Sequence, residues 1–341
     1  MTTASREASS TGPLKESSLR PGRIRSALIL ALCCACGAPT VRAGMAPAQK
    51  SDSAKLLSEA RTAYLAGQYP QAVDFLKQAA QAGSAEAAFK LGVIYEHGHH
   101  VAHDYNEAAQ WYQQAAQKRY EDAANNLGFL YYTGIGGKQD YAQALKWFTQ
   151  GADEGDDEAA ANLAGMYYHG KGVARNYKEA AKWYAVAANK GNPYAQNNLG
   201  YLYQHGLGVR EDYKKAYYWF NKASEQSSPF AQRNLAVMLE SGWGGKKDYR
   251  AASDWYKKAA QQGSRFAQRK LGQMYEVGRG VPKSPIMAYS WYWRAAQNGS
   301  LRAKADLQRL DKILTPAQIE QAKKDAASAA VPESSDKSKN P

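Results

Sequence analysis

Past Cys36 the 341-residue chain has no cysteine; all three, Cys33, Cys34 and Cys36, lie within four positions. No intramolecular disulfide framework can therefore hold the remainder together, and its stability has to come from packing. Catalytic signatures are also missing. There is no H-E-x-x-H, G-x-S-x-G, P-loop or dinucleotide fingerprint. The glycines of GIGG and GWGG follow helical patterns rather than strands. The one S-x-x-K, Ser334 to Lys337, falls in a polar tail where no oxyanion hole can be built. No apolar run is long enough for a comfortable membrane span.

The longest apolar stretch, SALILALCCACGA at 26–38, follows Arg20, Arg23 and Arg25 and precedes Val41-Arg42-Ala43. A basic region, a short apolar run and a small-x-small site read as a secretory signal over residues 1–43, cleaved after Ala43. Acylation at Cys36, as in a lipoprotein, is the second reading. Either places the chain in the periplasm or outside the cell, with no transmembrane segment after cleavage.

Leu91, Leu127, Leu163, Leu199, Leu235, Leu271 and Leu307 stand 36 residues apart, as do the tryptophans from Trp111 to Trp291 and the glycines from Gly98 to Gly278. A fixed step of this size means an array of like units. In residues 193–227, Ala195, Leu199, Leu202 and Tyr203 have helical spacing, and so do Ala216, Trp219, Phe220 and Ala223. A glycine-bearing loop separates the two sets. Asp104, Asp140, Asn176, Asp212, Asp248 and Ser284 stand where the second helices need caps. Ser84, Asp156, Asn192, Ser228, Ser264 and Ser300 do so for the first helices, with Tyr120 the exception. One such unit cannot bury its apolar face alone, so neighbours must stack.

The pattern Ala-x3-Leu-Gly-x2-Tyr, Gly-x-Gly-Val, Asp-Tyr, Ala-x2-Trp-Tyr-x2-Ala-Ala, Gly resembles Sel1-like repeats, longer-looped relatives of tetratricopeptide repeats. It covers six units: 85–120, 121–156, 157–192, 193–228, 229–264 and 265–300. The resemblance implies an all-α, right-handed superhelical solenoid of stacked helix-loop-helix repeats of 36 residues. Around it we read a linker at 44–53, a tetratricopeptide-like unit at 54–84 with the short loop AGQY, C-terminal capping helices at 301–326 and a disordered tail at 327–341. The β-lactam chemistry associated with cysteine-rich members does not transfer, because their paired cysteines are missing.

Four of the six histidines, His97, His99, His100 and His103, fall in EHGHHVAHDY. His97 matches His169 and His205 and belongs to the repeat, at a helix end where an imidazole meets free carbonyls. The other three replace variable loop residues. Solvated loop histidines are the first reading and Zn²⁺ or Cu²⁺ chelation the second. The repeated tryptophans, including Trp147, Trp183, Trp219 and Trp255, read as core; Trp243 and Trp293 break the step, and Trp243, in its loop, reads as exposed.

Asn126, Asn162, Asn198 and Asn234 precede the repeated leucines, bracketed by Lys90 and Lys270; Arg233 and Arg269 occupy the position before. The resemblance puts first helices on the concave surface, so these eight are candidate contacts for an extended peptide. An inter-helix hydrogen bond is the alternative for the amides. Charge is uneven: residues 54–193 carry 13 basic and 15 acidic groups, net −2, whereas 194–310 carry 19 and 8, net +11. Lys214, Lys215, Lys246, Lys247, Lys257, Lys258 and Arg265 form the expected basic patch, a field that steers acidic partners. Nucleic acid is not expected, because the chain reads as exported and has no recognised nucleic-acid motif. The reading is a scaffold or adaptor in the cell envelope with no cofactor and no catalytic residues. It would hold protein partners through acidic or extended segments. Peptidoglycan or polysaccharide binding, an anionic envelope polymer included, is the alternative, and an enzyme of β-lactam or peptidoglycan chemistry a more distant one.

Overall fold

The computed structural model describes residues 47–328. The segment read as an export signal, with Ala43 and Cys36, and the tail from residue 329 lie outside the described residues. Among those described are sixteen helices and no strand, in two compact units that divide between Lys190 and Gly191. The first unit holds α1 (Pro47–Leu65), α2 (Tyr69–Gln81), α3 (Ala85–His97), α4 (Tyr105–Gln117), α5 (Ala123–Thr133), α6 (Tyr141–Glu154), α7 (Asp157–His169) and α8 (Tyr177–Asn189). The second holds α9 (Pro193–His205), α10 (Tyr213–Glu225), α11 (Pro229–Ser241), α12 (Tyr249–Gln261), α13 (Arg265–Val277), α14 (Pro285–Gln297), α15 (Leu301–Leu310) and α16 (Pro316–Ser328). Within each unit a first helix packs on its own second helix, and that second helix packs on the first helix of the next repeat. Both α15 and α16 close against α14.

Two expected boundaries shift. Residues 47–53, read as linker, are the start of α1: Pro47 has its φ preset for a first helical position and needs no amide partner there. At the other end, Ala327 and Ser328, read as tail, complete α16.

One loop design recurs. The first helix ends on a left-handed glycine, with φ of 64° at Gly98, 70° at Gly134 and 76° at Gly242. The chain then returns so that the cap residue's backbone N–H donates to a carbonyl nine residues earlier: Asp104 to Tyr95, Asp140 to Tyr131, Asn176 to Tyr167, Asp212 to Tyr203, Asp248 to Leu239 and Ser284 to Tyr275, at 2.8–3.0 Å. The same residue's side chain accepts from the first turn of the second helix, as Asp140 Oδ1 does from Ala142 and Gln143 at 3.0 Å. Tyr120 has no such side chain. Where it stands the chain takes positive φ at Arg119 and Asp122, and α5 starts only at Ala123.

The repeated leucines and alanines are buried as their step requires. The rings are sorted differently from the expectation. The deepest are the residues after the tryptophans: Tyr112, Phe148, Tyr184, Phe220, Tyr256 and Tyr292 are each at most 1% exposed. Of the repeated tryptophans, Trp147 and Trp291 are buried, whereas Trp111, Trp183, Trp219 and Trp255 are only half-buried at the edge of the core. Each turns a face toward solvent because the position beside it already fills the gap between helices. Trp243 is not exposed: it is half-buried and stacks on Tyr213 at 5.6 Å and 23°. Trp293 is half-buried too, with Lys323 over its ring at 5.1 Å.

Two predictions follow from this packing. Phe148→Ala should cost about 3–5 kcal/mol of stability, and Trp183→Ala clearly less; urea midpoints compare them. Asp156 caps α7 from a site where burial raises its pKa to about 6, although the amides of Ala159 and Glu158 pull the other way. A carboxyl that holds its proton more tightly folded than unfolded makes stability fall as pH rises from about 4 to about 6. Asp156→Asn keeps the accepting oxygen, so it should remove that slope and be the more stable protein at pH 7. An unchanged difference between the two proteins from pH 4 to pH 7 would contradict it.

Candidate partner-binding surface

The asparagines offered as partner contacts are inside, and at Asn162 and Asn234 the alternative, an inter-helix hydrogen bond, is what the structure has. Asn126, Asn162, Asn198 and Asn234 are all nearly or fully buried. Their amides tie neighbouring first helices together: Asn162 Nδ2 donates to Asn125 Oδ1 at 2.9 Å and Asn234 Nδ2 to Asn197 Oδ1 at 3.0 Å, each across 37 residues. Asn198 Nδ2 turns back to Tyr194 O at 3.1 Å. The same 37-residue rung joins α13 to α15, but there it is ionic: Arg269 Nε donates to Asp306 Oδ2 at 2.6 Å. These rungs fix the register of one repeat on the next. Gln114 and Gln150 help from the second helices, reaching the carbonyls of Ala80 and Ala116 at 2.8 Å.

Arg233 and Lys270 also stand 37 apart, but both are cations, and each turns elsewhere. Arg233 lies half-buried between the Phe230 and Phe266 rings, 5.8 and 5.6 Å from their centroids, and donates to Asn234 Oδ1. Lys270 pairs with Glu240 at 3.2 Å, whose carboxylate also accepts from the Tyr256 hydroxyl at 2.7 Å. Lys90, the other bracketing lysine, pairs with Glu86 at 2.7 Å. Arg309 forks onto Glu276, which takes the Tyr292 hydroxyl at 2.8 Å, and onto Asp306 at 3.2 Å.

The expected basic patch is exposed but divides into two clusters. Lys214 and Lys215 open α10, and Lys246 and Lys247 lie in the loop after α11, whose Gly244 crosses over Tyr213 so closely that a Cβ would meet its carbonyl at 2.5 Å. Lys257, Lys258 and Arg265 sit at the opposite ends, roughly 12 Å further along α12. Lys258 lies over the Trp255 ring at 3.9 Å. Beside this second cluster a recess of about 440 Å³ opens between α13 and the start of α15, lined by Arg265, Phe266, Arg269, Lys270, Leu301 and Arg302. Phe266, Leu301 and Arg302 were not picked out in the sequence. The jump in arginine and lysine after residue 194 was the available signal.

Of the two readings of the histidine loop, the first, exposed loop side chains, fits His99, His100 and His103. No group of three or more His, Cys, Asp or Glu among the described residues is placed to hold a metal ion. His97 Nδ1 meets the Val93 carbonyl at 3.1 Å, the helix-end role expected of it, and its ring stacks on His99. His100 leaves the cluster to stack on Tyr69 at 3.4 Å and 4°. His103 packs on Tyr105 and under Gly98. The imidazoles are spent on different neighbours rather than converging. Partial burial, then the other three histidines, lowers the pKa of His99.

The Sel1 repeat model matches residues 59–84, 85–120, 121–156, 157–192, 193–228, 229–264 and 265–300. The chain belongs to the Sel1 repeat family. The six full repeats have the bounds read from the sequence, and the match takes in residues 59–84 as well, where the short loop had suggested a tetratricopeptide-like unit. A protective antigen of uropathogenic Escherichia coli with an SLR fold is 31% identical, with a TM-score of 0.71, over 82% of this chain. The aligned part is 61% of that antigen, so this chain corresponds to less than two thirds of its length. A Sel1 repeat protein from Oxalobacter formigenes is 29% identical, TM-score 0.62, over 73% of this chain and 98% of its own. No curated protein matches the sequence. Sel1 repeats generally mediate protein–protein interactions, on a solenoid that is typically a non-catalytic scaffold. No described helix is long and apolar enough to cross a membrane.

The buried rungs yield their own prediction. Asn162→Ala strands Asn125 Oδ1 in the core and should cost about 1–3 kcal/mol. Adding Asn125→Ala should recover part of that loss. Strict additivity of the two losses in urea unfolding would mean the rung carries no coupling.

Proposed function

We propose that this Sel1 repeat protein is an exported scaffold or adaptor that holds acidic or extended segments of protein partners in the cell envelope. The observation that carries the reading is the surface of the second unit. Its internal cations are held by rungs, ion pairs and ring faces, yet Lys214, Lys246, Lys247, Lys257, Arg265 and Arg302 remain exposed with no ion pair among the described residues. A stacked-repeat surface with a strong excess of one sign orients an oppositely charged partner and speeds its capture. Export is supported by the basic-apolar-small pattern ahead of Gly44. Direct binding of an anionic wall polymer is the second reading. Tyr217 and Tyr218 favour it, lying exposed beside Lys214, Lys215 and Lys222 on α10 as a platform for sugar rings and acidic groups.

The export half is tested by mass spectrometry of the N-terminus in cell fractions. A mature protein beginning at Gly44 in the periplasm or medium is expected; an intact N-terminus in the cytoplasm would contradict it. For the scaffold half, affinity capture from envelope extracts should recover acidic proteins that are lost with Lys257→Glu/Lys258→Glu/Arg265→Glu and at high salt. Co-sedimentation with wall sacculi, and no salt-sensitive protein, would favour the polymer instead.

A further inference from the structure

The recess between α13 and α15 has a chemistry of its own. Four of its lining residues are cations, and they are not equivalent. Arg269 is held by its Nε on Asp306, and Lys270 by Glu240, so both are fixed in place. Arg265 and Arg302 are exposed and have no ion pair among the described residues. Arg265 reaches from the first residue of α13 toward the turn before α15: its Nη1 lies 3.7 Å from the Cβ position of Gly299. The two free guanidinium groups thus belong to facing elements across one opening. The floor and rim are apolar. Phe266 is partly buried in the core of the second unit, and Leu301 is 77% exposed, the most exposed large apolar side chain described. At that exposure Leu301 contributes little to internal packing and stands open at the mouth of the cationic recess.

We propose that this recess docks a short acidic peptide segment of a protein partner, with two side-chain carboxylates on Arg265 and Arg302 and an apolar side chain between them against Phe266 and Leu301. The proposal rests on the scaffold reading and adds where the partner is gripped and by what. Charge complementarity selects the occupant: guanidinium pairs carboxylate in two-point fashion. The apolar wall selects against a bare inorganic anion, which has nothing to place on it. Arg269 and Lys270, already neutralised by their own carboxylates, supply field and a fixed wall rather than new pairs. The volume suits a few side chains, not a folded domain.

The test is fluorescence anisotropy with the full-length protein and a labelled peptide of alternating Glu and Leu, beside the same peptide with Gln for Glu. The acidic peptide should bind and the Gln peptide at least tenfold more weakly. Arg265→Glu/Arg302→Glu should weaken binding tenfold or more. Lys138→Glu/Lys178→Glu, the same charge change on exposed lysines of the first unit, should weaken it less than threefold. Leu301→Ser should weaken it several-fold, an effect a purely electrostatic site would not show. Both Arg265 and Leu301 are exposed, and unchanged circular dichroism confirms that the variants fold. Equal losses in the two double variants, no effect of Leu301→Ser, full competition by millimolar inorganic phosphate, or tighter binding to anionic-lipid vesicles through the same arginines would each overturn the proposal. Envelope capture that survives Arg265→Glu/Arg302→Glu would sink this recess while leaving the scaffold reading in place.

Discussion

A ring laid flat on bare backbone sets the spacing of these helices. In four repeats the first helix carries a glycine where the second helix brings in its deep ring. A Cβ there would lie 2.6 Å from Tyr112 at Gly92, 2.8 Å from Phe148 at Gly128, 2.9 Å from Phe220 at Gly200 and 2.7 Å from Tyr292 at Gly272. Close-packed interiors leave no slack for such an atom. The glycine lets the ring reach the axis of its partner helix, and the leucine before it fills the space beside the ring. Ala164 and Ala236 hold the same place in two other repeats, opposite Tyr184 and Tyr256, and are fully buried. The helix pair therefore accepts one methyl if the ring gives way slightly, and nothing larger.

From that contact the rest follows in order. The ring closes a helix pair, but one pair leaves its outer face open, so the next repeat must cover it. Register between repeats is then fixed by polar rungs 37 residues apart, amide to amide at Asn125–Asn162 and Asn197–Asn234, and ionic at Arg269–Asp306. Each rung offsets part of the cost of burying these groups, pairing the Oδ1 of Asn125 and of Asn197 while their Nδ2 atoms stay buried without a hydrogen bond among the described residues. Since the internal positions are spoken for, recognition falls to what the repeats leave outside. That is why the exposed arginines and lysines of the second unit, and not the asparagine ladder, carry the functional reading.

Much of this was legible in the sequence. The 36-residue step gave the repeat bounds. The caps and left-handed glycines marked helix ends, because Asp, Asn and Ser at those places do one physical job. Inside and outside at adjacent positions were not legible. Trp183 and Tyr184 both lie near the apolar stripe, and hydrophobicity ranks the indole first. The structure buries the tyrosine, because the room available is the shape of one ring over small residues. The asparagines kept two readings for a related reason: a polar side chain on a first helix serves equally as a partner contact or an inter-helix bond until its partner is known, and at Asn162 and Asn234 it is the bond. A sign was available, since Asn recurs at both 125 and 162, Asn at both 197 and 234, and Arg at 269 faces Asp at 306. A polar residue that reappears with a complement one repeat and one residue later is a rung. The histidine loop also carried two readings, solvated side chains first and a shared ligand second; the loop's turn sends His100 to Tyr69 and His103 to Tyr105.

The most direct test of the ring-on-glycine constraint is a double-mutant cycle in urea between Gly128→Ala and Phe148→Leu. If the ring and the missing Cβ set the helix spacing, Gly128→Ala should destabilise the wild-type background but cost little once the ring is trimmed, a coupling of about 1 kcal/mol. Additive effects would show that the glycine and the ring do not act on each other, and the account would fail at its base.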